Sequence, residues 1–123
     1  MTEIHGIHHV MIAIPPGGEA QARTFYGEAL GLSELPKPAT LQARGGVWLS
    51  VGHVQLHLGI DPDFRPATKA HIAIQVLGIA LLRDQLTAAG YPVESDASLP
   101  GFERYYVADP FGNRVEILEP QEH

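Results

Sequence analysis

The chain of 123 residues contains no cysteine. That excludes disulfides, thiolate nucleophiles and Cys-type zinc sites together, and it makes a reducing, cytoplasmic setting the expected address. Positive charge is scarce too: 8 Lys+Arg stand against 14 Asp+Glu, a formal net charge of -6. With no basic cluster to displace counterions from a phosphate backbone, nucleic acid is not an expected partner. Long apolar runs are also missing. The opening stretch MTEIHGIHHV has no basic segment leading into an apolar one, so neither a membrane span nor a secretory signal is expected. What is present is enough chain to bury roughly two thirds of its unfolded surface around one core, and the expectation is a single domain over residues 1–123.

Histidine is abundant, with seven residues at His5, His8, His9, His53, His57, His71 and His123. It is the commonest metal ligand and the proton carrier of neutral pH, so the placement of these seven decides what they can do.

The order of elements repeats about the break Asp61-Pro62-Asp63-Phe64-Arg65-Pro66. The first half opens with the strand-like run His9 to Ile14. A helix follows, its apolar positions Ala22, Phe25, Tyr26, Ala29 and Leu30 at helical spacing and Gly31 as its stop. Two strand-like runs close the half, Val47 to Val51 and Val54 to Leu58. The second half opens with His71 to Val76, continues with a helix bearing Ile79, Leu82, Leu86 and Ala89 and stopped by Gly90, and closes with Phe102 to Val107 and Arg114 to Leu118. The turn Asp109-Pro110-Phe111-Gly112-Asn113 suits a tight hairpin and reads as structural. The offset is 71-9=62 between opening strands, 90-31=59 between terminal glycines and 116-57=59 between His57 and Glu116. A three-residue shortening near the second helix accounts for all three. The chain therefore reads as two copies of one strand-helix-strands unit, at about residues 4–60 and 68–120, each with a sheet covered by its helix.

Strand parity sorts the side chains. Val10, Ile12 and Ile14, Val54, Leu56 and Leu58, Ile72, Ile74 and Val76, and Val115 and Ile117 face the helices. The opposite face carries His9, Met11 and Ala13, then His53, Gln55 and His57, then His71, Ala73 and Gln75, then Arg114, Glu116 and Leu118. If a twofold axis relates the halves, His9, His57, His71 and Glu116 form two equivalent pairs that can meet near it. Three imidazoles and a carboxylate suit one divalent ion per chain: zinc, iron, manganese, nickel or cobalt. Taken singly, each also reads as a polar strand end or a solvated carboxylate; the joint placement favours ligands for His9, His71 and Glu116. His57 reads equally as a ligand or as a pocket wall in contact with substrate. His8 has the wrong parity, and His5, His53 and His123 read as surface residues. Tyr106 and Arg104 share a face, so a phenol able to donate a proton and a guanidinium able to hold an anion can stand together. A sheet-surface aromatic is the plain alternative for Tyr106, and a solvated charge for Arg104 and Arg114. Trp48 by parity, and Met11 beside His9, would line the pocket.

The strings Gly6-Ile7-His8-His9-Val10, Phe25-Tyr26-Gly27-Glu28-Ala29-Leu30-Gly31-Leu32, Ala70-His71-Ile72-Ala73-Ile74 and Tyr105 to Glu116 (YYVADPFGNRVE) resemble the vicinal oxygen chelate superfamily. That group includes glyoxalase I, fosfomycin-resistance thiol transferases, extradiol dioxygenases and bleomycin-resistance proteins, and the resemblance runs over essentially the whole chain. It implies an α+β fold of two βαβββ modules forming a cupped mixed sheet, with metal ligands from the first and last strands of each module. His9, His71 and Glu116 match the ligand pattern. In glyoxalase I the remaining position is normally Glu, and here it is His57, which removes one of two carboxylates associated with proton shuttling. The thiol transferases carry Thr where Met11 stands. Extradiol dioxygenases carry a Tyr ten residues before the Glu, matched by Tyr106, but most are longer chains.

Two functions of different kind follow. The first is a metal-dependent enzyme taking a small substrate through vicinal oxygens, of lyase/isomerase, transferase or dioxygenase type, with Glu116 and Tyr106 catalytic. The second is a non-catalytic protein of bleomycin-resistance type that sequesters a drug or metabolite. A homodimer is expected, since two modules make half of the four-module arrangement of longer relatives and each sheet has edges to cover. Modules can be swapped in this superfamily, so that His9 would serve the partner's site.

Overall fold

In a computed structural model, residues 1–122 are described and His123 lies outside them. Alternating strands build two four-stranded mixed sheets. The first module contains β1 (His9–Ile14), α1 (Glu19–Ala22), β2 (Ser33–Leu35), α2 (Ala39–Gln42), β3 (Val47–Val51) and β4 (Val54–Ile60). The second contains β5 (Ile72–Gln75), α3 (Ile79–Ala88), β6 (Val93–Ser95), β7 (Phe102–Ala108) and β8 (Arg114–Pro120). The sheet orders are β1-β4-β3-β2 and β5-β8-β7-β6, with the first and last strands of each module parallel and the remaining neighbours antiparallel. The expected cup thus consists of two mixed sheets rather than one continuous sheet.

The registers bear out the repeat. Met11 lies opposite His57 and Ala73 opposite Glu116. The parity holds as well: Ile14, Leu56, Leu58, Val115 and Ile117 are buried in the core, where full burial of such a side chain contributes about 1.5–3 kcal/mol.

The first helix departs from the expected α-helix. Only Glu19–Ala22 is α-helical, and Arg23–Ala29 continues as a π-helix, with the Leu30 amide donating to the Phe25 carbonyl five residues back. Phe25 and Tyr26 are both fully buried on its inward face. The Phe25 ring meets Tyr26 and, from the other module, Tyr91 edge-on, with centroids at 4.8 and 4.9 Å.

The turn after β7 is a clasp between modules as well as a hairpin. Asp109, 4% exposed, accepts from the Tyr26 hydroxyl at 2.7 Å, the Asn113 amide side chain at 2.9 Å, and the Phe111 and Asn113 backbone N–H groups. Asn113 in turn donates to the Ala13 carbonyl on β1 and accepts from the Ala67 N–H. Burial pushes the Tyr26 phenol far above its ordinary value, and the Asp109 charge and hydrogen bond add to this. On β8, the Glu119 carboxylate accepts from the N–H groups of Gly78 and Ile79 and so caps α3.

The chain exposes 7958 Å². A compact monomer of 13.3 kDa exposes about 6,450 Å², and residues 1–9, exposed throughout, account for part of the difference.

Candidate metal and substrate site

Each module presents one polar face away from its helix, and the two carry different chemistry. On the first, β4 places His57 beside Met11 of β1 and Trp48 of β3. His57 is 4% exposed despite its outward parity, because Trp48 covers one face of its ring at 4.1 Å and 5° and His9 covers the other at 4.2 Å and 13°. Desolvation pushes His57 below the ordinary histidine value, and the neighbouring His9 and His8 add to it. Its Nε2 lies 2.9 Å from the Gln55 Oε1, while the Nδ1 atoms of His8 and His9 face each other at 2.9 Å. Met11 is exposed and lies over Gly59, where a Cβ would meet its sulfur.

On the second module, Glu116 is 6% exposed and held from two sides. His71 Nε2 is 2.9 Å from its Oε1, and Arg104 Nη1 is 3.4 Å from its Oε2. Arg104 is braced in turn by the Ser98 hydroxyl at 2.8 Å and Asp96 at 3.4 Å. Tyr106, directly opposite Glu116 across β7 and β8, has the Arg104 and Arg114 guanidinium carbons 5.4 and 3.6 Å from its ring centroid and His71 edge-on at 5.6 Å.

His71 carries a proton conflict. Its Nδ1 lies 2.8 Å from the Lys69 carbonyl oxygen and its Nε2 faces the Glu116 carboxylate. A neutral imidazole has one N–H and can donate to only one of two acceptors, so the second contact calls for another proton or a cation. An imidazole nitrogen and a carboxylate oxygen side by side are donor types that one divalent ion would take together. The Lys69 carbonyl is also the kind of partner that fixes a ligating ring with Nε2 free for the ion. Nitrogen and carboxylate donors, with an N–H partner behind the ring, fit a borderline divalent ion.

The expected four ligands form two pairs, His9–His57 and His71–Glu116. No group of three or more His, Asp or Glu residues able to hold a metal is assembled among the described residues. Parity tells which face a side chain occupies but not how two sheets are turned toward each other. At the module seam Gln55 and His71 line one cleft of about 400 Å³ together with core-facing residues such as Val10, Val54 and Ile72. Gln55 shares the polar parity of His53 and His57. Asp96 and Ser98, which brace Arg104, carry no pattern in the sequence that points to them.

This arrangement, two βαβββ modules with a His/Glu-bearing inner face, defines a glyoxalase-type fold. A family model described as glyoxalase/bleomycin resistance protein/dioxygenase superfamily matches residues 6–117, and the chain belongs to that superfamily. A solved structure assigned to the glyoxalase family, from Bacillus anthracis, is 44% identical with a TM-score of 0.94, covering 98% of this chain and 99% of the other. The fold alone is shared with the fosfomycin resistance protein FosX from Listeria monocytogenes, at 13% identity, TM-score 0.78 and 97% and 96% coverage. It is also shared with a lactoylglutathione lyase from Agrobacterium tumefaciens, at 20% identity, TM-score 0.71 and 95% of both chains. No curated protein matches the chain by sequence. No helix among the described residues is long and apolar enough to cross a membrane.

Proposed function

We propose that the chain is a divalent-metal-dependent enzyme of this superfamily, acting on a small substrate through two adjacent oxygens. The observation that carries the reading is His71, whose two ring nitrogens both face oxygen acceptors. Its Nε2 is aimed at the Glu116 carboxylate, and this nitrogen–carboxylate pair is one that a divalent ion would take in place of a second ring proton. His71 and Glu116 would hold it, with His9 and His57 as further donors; zinc, iron, manganese, nickel and cobalt all accept this set. When bound, such an ion supplies Lewis-acid polarisation of the substrate oxygens. The chain's own residues supply the rest. Arg104 orients the Glu116 carboxylate, whose second oxygen can take a proton from substrate. Tyr106 stands opposite to donate a hydrogen bond or proton. Met11, Trp48 and His57 wall the other side.

His9 and His57 lie on the module that does not carry Glu116, so a second copy would complete the donor set, His9 of one chain serving its partner. The exposed Ile7 and Met11, next to His9, support this as apolar surface that a second copy would cover. Sedimentation equilibrium is expected to give a homodimer at micromolar concentration, and a monomer would overturn it.

Elemental analysis of untagged protein tests the metal. One ion per chain is expected, with occupancy lost in His71→Ala and Glu116→Ala. Full occupancy in both variants would overturn the ligand assignment. Wild-type protein that takes up none of the five metals would favour instead a sequestering binder, for which the Trp48–His57–His9 stack offers a flat aromatic surface.

A further inference from the structure

Arg114 is a cation on the inner face that makes no ion pair with any of the described residues. It stands two residues before Glu116 on β8 with the same parity, and the pairing of Ile72 with Val115 places it beside His71. Its guanidinium carbon sits 3.6 Å from the Tyr106 centroid, inside the range at which a ring face attracts a cation. The other arginines of the strands and helices have carboxylates: Arg23 has Glu34, Arg83 has Glu103, and Arg104 has Asp96 and Glu116. Among the described residues no carboxylate lies within 4.0 Å of Arg114. It lines a cleft of about 340 Å³ with Thr68, Tyr106 and Glu94, the last opposite Tyr106 on β6 and outside ion-pair distance. Stacking on Tyr106 fixes the guanidinium and leaves its N–H fork available, the geometry that takes a carboxylate or phosphate-type oxyanion bidentately.

We propose that Arg114 is an anion subsite beside the His71–Glu116 pair, so that the substrate carries a carboxylate, phosphonate or phosphate in addition to its two adjacent oxygens. Tyr106 is then also the positioning residue of Arg114. Where the rest of the substrate lies rests on the metal reading; the anion subsite itself does not.

The first test uses metal-free protein titrated with methylphosphonate and followed by NMR of the arginine Nε–H groups. A saturable shift is expected at Arg114. It should be abolished by Arg114→Gln, partly kept by Arg114→Lys and unchanged in Arg65→Gln. Glu94→Gln should tighten binding about threefold by removing a nearby like charge. A response that survives Arg114→Gln, or one spread equally over Arg44 and Arg65, would overturn the proposal.

The second test compares acetohydroxamate with succinic monohydroxamate on zinc-loaded protein. The carboxylate arm should add about tenfold in wild type and nothing in Arg114→Gln, with acetohydroxamate binding equal in both. Equal binding of the two hydroxamates by wild type would overturn the subsite. Failure of both to bind would sink the metal reading, leaving the methylphosphonate result to decide the subsite alone.

Discussion

The two modules repeat one backbone plan and divide the chemistry between them. At the position opposite the first strand, one carries His57 sandwiched between aromatic rings, and the other carries Glu116 clamped between an imidazole and a guanidinium. The first face buries its polar group by stacking, which favours the neutral ring; the second buries its carboxylate by charge pairing. Equivalent positions in a repeat are thus equivalent in geometry and not in role.

The sharpest way to break this comparison is to neutralise each face in turn. Glu116→Gln is expected to lower metal affinity at least about a hundredfold, as the loss of an anionic ligand should. His57→Gln should cost much less, because His71 and Glu116 remain. Equal losses in isothermal titration would show that the faces contribute alike.

Next comes the clasp that holds the modules together. Asp109→Ala strands the Tyr26 hydroxyl and two backbone N–H groups inside the protein and should cost about 3 kcal/mol in urea unfolding. A cost under about 1 kcal/mol would mean that the modules are joined mainly by apolar packing. Tyr26 links the same clasp to pH. Its folded value is raised, so its stabilisation is present below the unfolded value near 10 and is lost as pH rises above it. Tyr26→Phe should flatten the fall in stability above pH 10; an unaltered slope would assign that fall elsewhere.

His57→Glu makes the first face acidic like the second. Metal-loaded wild type is expected to turn over the methylglyoxal-glutathione hemithioacetal below the ordinary range of about 1–1,000 per second, and His57→Glu to gain activity. Wild-type turnover inside that range would show that His57 does not bar the reaction.

The smallest effect concerns Trp48, the single tryptophan. Its emission should fall as the stacked His57 protonates. Since that residue is pushed below its ordinary value of 6.5, the midpoint should lie below pH 6.5. A midpoint above it would argue that the stack is open in solution.

Much of this was legible because strands and repeats have fixed periods. The offsets of 62 and 59 reappear as the pairings of Met11 with His57 and Ala73 with Glu116. The edge strands Ser33–Leu35 and Val93–Ser95 were implied by family resemblance alone, since three residues are too few to display a period. The π-helical turn was hidden because Phe25 and Tyr26 also fit α-helical spacing. Asp109 and Asn113 read as turn formers, and a buried carboxylate clasp has the same local sequence as an exposed hairpin. The stacking of His57 and the separation of the two pairs depend on how side chains and sheets are oriented in space, which no one-dimensional pattern encodes.

Along β4 and β8 each chemistry-bearing residue is flanked by residues that make the core: His57 by Leu56 and Leu58, Glu116 by Val115 and Ile117. Alternation therefore separates what the protein does from what keeps it folded, one residue at a time. A lineage can exchange the residue at His57 or Glu116 without altering the side chains of the core strand positions beside it, so new chemistry can be tried at one place while the fold is kept.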